Sequence, residues 1–204
     1  MTIVLGITGG IACGKTTVVT YLNQQGIPVI DGDVIARKVV EKGQVGLTQL
    51  VTAFGPTILT KEGKLDRAHL GSLVFADQTK REQMNQILGP IIRKAILAAI
   101  DQYKKQRVPL VLVDIPLLYE HHYEQYMTKV LVVSVSPATQ LTRLMKRNGY
   151  SQAEALARIE SQWPLSKKIE KADILVDNEG SIYDTHRQLD QILANLQQFD
   201  DKTL

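Results

Sequence analysis

The sequence predicts a doubly wound α/β fold with a five-stranded parallel sheet, on three observations. Short, near-continuous Val/Ile/Leu runs alternate with longer amphipathic segments, the pattern of strands buried on both faces and covered by helices. The first run passes through a glycine-rich turn directly into a helical pattern, as the opening of a βα unit should. A content of 44% hydrophobic and 22% charged residues in a chain of 204 supports a sizeable core in one domain with room for inserted lobes, and excludes a disordered or fibrous chain.

The elements follow in order. Strands are predicted at Ile3–Thr8 ("IVLGIT"), Ile27–Asp31 ("IPVID"), Pro109–Ile115 ("PLVLVDI") and Lys129–Val135 ("KVLVVSV"), with a weaker fifth at Ala172–Asn178 ("ADILVDN"). Between the second and third strands lie roughly 75 residues, far more than one crossover helix requires. The helical segments there, "DVIARKVVEK", "LTQLVTAFG", "DRAHLGSLVFA" and "QTKREQMNQILGPIIRKAILAAIDQYKKQ", predict a helical lobe inserted at the sheet edge. Between the fourth and fifth strands, two helices are predicted around Asn148-Gly149, and Ser181 to Gln198 reads as a closing amphipathic helix. No repeat or low-complexity segment interrupts the chain.

Charge and cysteine usage narrow the function. A net charge of +3 is mild and no Lys/Arg block stands out, which suits anionic small ligands but predicts no nucleic-acid partner. Cys13 is the single cysteine, so no intramolecular disulfide can form and a reducing compartment is expected. The N-terminal apolar run is broken by "TGG", and "VPLVLVDIPLLY" is shorter than the ~20 residues a membrane span needs. A cytoplasmic protein without a membrane or obligatory protein partner is therefore expected.

The stretch Gly9 to Thr16, "GGIACGKT", matches G-x-x-x-x-G-K-[ST] after a strand and before a helix. Glycines permit the tight turn, and consecutive N–H groups at a helix N-terminus form an anion nest. Lys15 can then reach the β- and γ-phosphates of ATP, and the Thr16 hydroxyl can ligate Mg²⁺. Cys13 sits inside the loop, where a thiol can be activated by a helix N-terminus, although packing is the better reading of a lone small cysteine. Holding ATP does not name a reaction, since hydrolases, switches and kinases share this loop.

Candidate acceptor-side residues lie at strand ends, where ligands of open α/β sheets bind. Asp33 can accept the proton of an attacking hydroxyl, or it can cap a helix starting at Val34. Arg37, one turn on, can hold an acidic acceptor or be a solvated charge. Asp114 ends the third strand as a carboxylate near Mg²⁺ or its waters would. His121-His122 lack the spacing of a helical metal pair and read as surface. Arg143 and Arg147, four apart on a predicted helix, can clamp phosphates from a lid or be plain helix charge. Trp163 and Tyr150 read as packing for the lid's base. Asn178, in "DNEGS", can face adenine or form a turn.

Assembled in order, "GITGGIACGKTT", "GIPVIDGDVIARKVVEKG", "LDRAHLGSLVFAD", "LVDIPLLYE", "VLVVSVSPATQLTRLMKRNGYSQAEALARIESQ" and "ADILVDNEGS" resemble the dephospho-CoA kinase family over nearly the whole chain. The resemblance implies a P-loop NTPase core of three α/β/α layers, about 1–33, 105–137 and 169–204, an acceptor lobe about 34–104 and a lid about 138–168. It implies transfer of the γ-phosphate of ATP, with Mg²⁺, to the ribose 3′-hydroxyl of dephospho-CoA. Asp33 with Lys15 would be catalytic. Gly9, Gly10, Ile11, Ala12, Cys13, Gly14, Lys15, Thr16 and Thr17 would hold the nucleotide, with Arg143, Arg147 and Asn178. Thr8, Asp33, Arg37, Asp114 and Leu117 would meet the acceptor, and Thr16 the metal. Ala12 and Cys13 replace the family's usual Gly and Ser, and Gly89-Pro90 replaces its usual His-Pro. The rivals are another small-molecule P-loop kinase, acting on a nucleoside, nucleotide or shikimate-like alcohol, and a nucleotide-dependent regulatory switch.

Overall fold

The structure, a computed structural model, describes residues 1–201, with side chains through 196. It contains a five-stranded parallel sheet in the order β2-β3-β1-β4-β5, built from β1 (Ile3–Gly9), β2 (Val29–Asp31), β3 (Leu110–Asp114), β4 (Lys129–Ser134) and β5 (Ile174–Asp177). The central registers are Ile7 opposite Asp114 of β3 and Gly9 opposite Val133 of β4. These pairings bring the ends of β1 and β3, with their polar residues, to one edge.

The near-continuous apolar strand sequences are explained by burial on both faces. On one face Leu5, Ile7, Leu112, Leu131, Val133 and Val176 form a single cluster with Val18 and Leu22 of α1 (Lys15–Gln24) and Leu189 and Leu196 of α9 (Ile182–Asp201). On the other face Val4, Thr8, Val111, Val113, Val130 and Val132 are also buried. Each buried Val, Leu or Ile contributes roughly 1.5–3 kcal/mol relative to an exposed one.

Two strands are shorter than their apolar sequence suggests, β2 starting at Val29 and β5 at Ile174. The excursion after β4 holds three helices rather than the two expected: α6 (Pro137–Asn148), α7 (Gln152–Glu160) and α8 (Leu165–Glu170). Pro164, with φ −51° and ψ 135°, interrupts the helical path, so "LSKKIE" begins a new helix. Local signals set the other ends. Ser136 caps α6 and left-handed Gly149 (φ 69°) stops it, while Ser151 and Glu154 form a reciprocal capping box on α7.

The chain divides into two compact units, Met1–Ile30 with Gln102–Leu204, and Asp31–Asp101. The second unit contains α2 (Gly32–Lys38), α3 (Val45–Phe54) and α4 (Arg67–Ala76); α5 (Gln78–Lys105), which carries Pro90 in its interior, leads the chain back to the first. The Asp31–Asp101 unit has its own core, with Val39, Val40, Leu50, Ile58 and Leu70 buried and Ile87, Leu88, Ile91 and Ile92 of α5 packed on them.

Candidate active site

The loop between β1 and α1 is shaped by close approaches that only glycine permits. A Cβ on Gly9 would lie 2.7 Å from the Val133 carbonyl oxygen. Gly14, the residue before α1, has φ 87°, and a Cβ there would lie 2.0 Å from the Asn178 amide nitrogen. Ala12 has φ 63°, a left-handed conformation costing a non-glycine residue roughly 1–2 kcal/mol.

Side chains from distant parts of the chain hold the loop in place. The Ile11 N–H donates to Gln162 Oε1 (3.1 Å) and Gln140 Nε2 donates to the Ile11 carbonyl (3.0 Å). Asn178 Nδ2 donates to the Cys13 carbonyl (2.8 Å), and Thr185 Oγ1 donates to Asn178 Oδ1 (2.8 Å), fixing that amide. Inside the loop the Cys13 N–H donates to the Gly10 carbonyl and the Thr17 N–H to that of Gly14. With these carbonyls engaged, Lys15 and Thr16 offer their N–H groups at the positive end of the ten-residue α1. The arrangement is chemically an anion site.

Lys15 Nζ donates to Asp114 Oδ1, joining the loop to the end of β3. An ammonium has three donors, so this bond leaves Lys15 capacity for a phosphate. Thr16 is exposed in the first turn of α1 and Thr17 half-buried behind it. Thr8 is fully buried, its Oγ1 donating to the Pro116 carbonyl at 2.8 Å, and Leu117 is half-buried one residue further on. Cys13 is fully buried, and burial pushes its thiol up from 9.0 to about 11 against the lowering effects of the Gly10 and Val135 backbone, Arg143 and Lys168. This is a packed thiol rather than an activated one.

Arg143 is half-buried, with Nη1 only 3.9 Å from where a Gly14 Cβ would sit, so its guanidinium lies beside the loop. Arg147 is exposed one turn further along α6 and donates from Nε to Asn148 Oδ1. Asn178 is buried, and its amide is committed to the loop backbone and Thr185. The paired histidines His121 and His122 are exposed. Trp163 stacks parallel to Tyr119 with Lys167 over its ring, and Arg158 covers the Tyr150 ring.

Within the Asp31–Asp101 unit, α2 begins two residues earlier than Val34. Its cap is Asp31, whose Oδ1 accepts the Val34 N–H at 2.9 Å. Capping is therefore not the work of Asp33, which lies exposed in the first turn with Arg37 four residues on. The Arg37 carbonyl accepts from Arg67 Nη2 at 3.2 Å.

Several residues of the site were not singled out by the sequence. Gln140, Gln162, Thr185 and Lys168 bond to the loop or to its holders from 129 to 159 positions away, or through Asn178. Only Lys168 leaves a readable trace. It lies on α8 between Leu165 and Ile169, a charge set on an apolar face.

The family model of dephospho-CoA kinase matches residues 3–184. A dephospho-CoA kinase from Enterococcus faecalis is 52% identical over 93% of this chain and 94% of its own length. One from Bacillus cereus is 47% identical over 96% and 98%. The solved dephospho-CoA kinase from Campylobacter jejuni superposes with a TM-score of 0.75 at 29% identity, covering 98% of this chain and all of its own. With a family model that matches residues 3–184 and relatives that share nearly its full length, the chain belongs to the dephospho-CoA kinase family.

Proposed function

We propose that the chain phosphorylates the ribose 3′-hydroxyl of dephospho-CoA with ATP, giving coenzyme A and ADP, the last step of coenzyme A synthesis. The observation that carries this reading is family membership over residues 3–184, which includes the loop, Asp33 and the α6 arginines. The nucleotide's β- and γ-phosphates would lie on the N–H groups that open α1, with Lys15 as the point charge. Asp33 would take the proton of the 3′-hydroxyl as its oxygen bonds to the γ-phosphorus and the bond to the β–γ bridging oxygen breaks, releasing ADP. Arg143, already beside the loop, would neutralise charge on the transferring group, with Arg147 reaching in from the next turn. Arg37 would hold the acceptor's anionic portion beside Asp33.

The donor set fits Mg²⁺ arriving with the nucleotide. Among the described residues no three His, Cys, Asp or Glu gather into a metal cage, and Mg²⁺ commonly binds through phosphates, waters and one or two protein oxygens. Thr16 would hold it, with Asp114 near its waters. Bound there, the ion neutralises charge on the phosphates. The single cysteine, kept as a thiol, supports a reducing cytoplasmic setting.

The test is an acceptor panel read as ADP release, with dephospho-CoA alongside nucleosides, nucleoside monophosphates and shikimate. Turnover is expected with dephospho-CoA and at least about 100-fold less kcat/KM with the others, the discrimination expected where buried polar groups recognise a specific acceptor. Turnover of a nucleoside without turnover of dephospho-CoA sinks the reading.

A further inference from the structure

Lys168 of α8 is fully buried, and its ammonium meets three oxygens. These are Glu120 Oε1 at 2.8 Å, the Gly9 carbonyl at 3.4 Å and the Pro116 carbonyl at 3.4 Å. Three acceptors match the three N–H bonds of an ammonium. Glu120 Oε1 also accepts the Trp163 backbone N–H at 3.1 Å, while Glu120 Oε2 is buried without a hydrogen-bond partner among the described residues.

Removing both charges of such a pair from water costs several kcal/mol per ion, and an apolar pair of similar volume is often as stable or more so. Stability alone is a weak reason for this arrangement, whereas its position supplies a stronger one. Gly9 ends β1 and opens the phosphate loop, and Pro116 follows the Asp114 strand end. The Gly9 carbonyl and the Gly10 N–H belong to one rigid peptide plane. That plane has glycine on both sides, where rotation is least restricted by sterics. An ammonium on the Gly9 carbonyl fixes the plane's orientation, and its second carbonyl fixes β1 against the segment following Asp114, the partner of Lys15.

We propose that Lys168 is a positioning residue of the phosphate loop, orienting the Gly9–Gly10 peptide and aligning the β1 and β3 ends, with Glu120 as its counter-charge. The proposal rests on the reading of this loop as the ATP site, but not on the identity of the acceptor.

The experiment compares wild type, Lys168→Met and Lys168→Met/Glu120→Gln for thermal stability, ADP affinity by calorimetry, and kcat and KM for each substrate. Wild-type turnover of dephospho-CoA is measured first, because its absence sinks the functional reading, while ADP affinity tests the positioning role separately. Lys168→Met should weaken ADP binding and raise KM for ATP by about tenfold or more, with KM for the acceptor changed less than about twofold. It should also lower stability, since it strands the Glu120 carboxylate. The double variant removes that stranded charge and should regain most of the stability while ATP and ADP binding stay weak. Recovery of nucleotide binding together with stability would overturn the proposal, making the pair a structural ion pair only. If Lys168→Met alone does not fold, the double variant carries the test. Failure of both to fold assigns the pair to stability and also overturns it.

Discussion

At Asp31 the carboxylate accepts the Val34 N–H and caps α2, which relieves Asp33 of that duty and leaves it exposed one position inside the helix. An exposed, non-capping carboxylate has little reason to matter for stability, so its chemistry can be tested cleanly. Asp33→Asn should change stability by less than about 1 kcal/mol and leave ADP affinity intact. As a lost general base, it should lower kcat by about 100-fold or more. An unchanged kcat would return Asp33 to the role of a surface residue.

Cys13 makes the opposite case, a side chain inside the nucleotide loop that does packing work. Its folded-state pKa is raised to about 11 from 9.0 by burial, so the folded chain keeps a proton that the unfolded chain gives up. Its contribution is fully present below pH 9 and is lost as pH rises towards 11, a change on the order of 2–3 kcal/mol. Tyr119, pushed up to about 12 mainly by burial, adds a loss in the same direction at higher pH and is shared by any Cys13 variant. Cys13→Ser should keep kcat within about twofold and lose less stability between pH 8 and pH 10.5 than wild type, measured by urea unfolding. Equal losses in the two proteins would show that the thiol does not titrate with unfolding.

Elements written in local pattern are legible from the sequence. Near-continuous Val/Ile/Leu content marks four strands, and the strand–glycine–helix order locates the nucleotide loop. Asp66 before α4, Ser136-Pro137 before α6, Gly149 after it and Ser151 with Glu154 on α7 are all helix-end signals spelled within four residues. The third helix of the α6–α8 segment is marked by Pro164, a break in the helical pattern that the two-helix expectation passes over. What holds the loop is not legible, because Gln162 to Ile11 and Lys168 to Gly9 span 151 and 159 positions. A glutamine on a helix looks alike in sequence whether it faces water or a distant carbonyl, and Lys168, although set on an apolar face, does not name the carbonyl it meets. Likewise, "DGD" offers two carboxylates, and only the backbone path decides that the first is the cap.

At the scale of the whole molecule, two apolar cores are built from different parts of the chain. Leu50 and its neighbours lie wholly within Asp31–Asp101, and the sheet core lies wholly outside it. Cores that share no residues can lose protection separately, because local opening follows packing within each unit. Leu50 is fully buried, and truncating such a leucine costs about 2–5 kcal/mol through lost transfer energy and an unfilled cavity. Hydrogen exchange on Leu50→Ala should therefore accelerate across α3, α4 and the first half of α5, with β1, β3 and β4 protected nearly as in wild type. ADP affinity, which the proposed function assigns to the sheet unit's loop, should change by less than about twofold, whereas KM for dephospho-CoA should rise if Asp33 and Arg37 are held by the damaged core. Protection lost to the same extent in both units would mean that the two cores open as one, and would remove the basis for assigning the acceptor side to an element with its own stability.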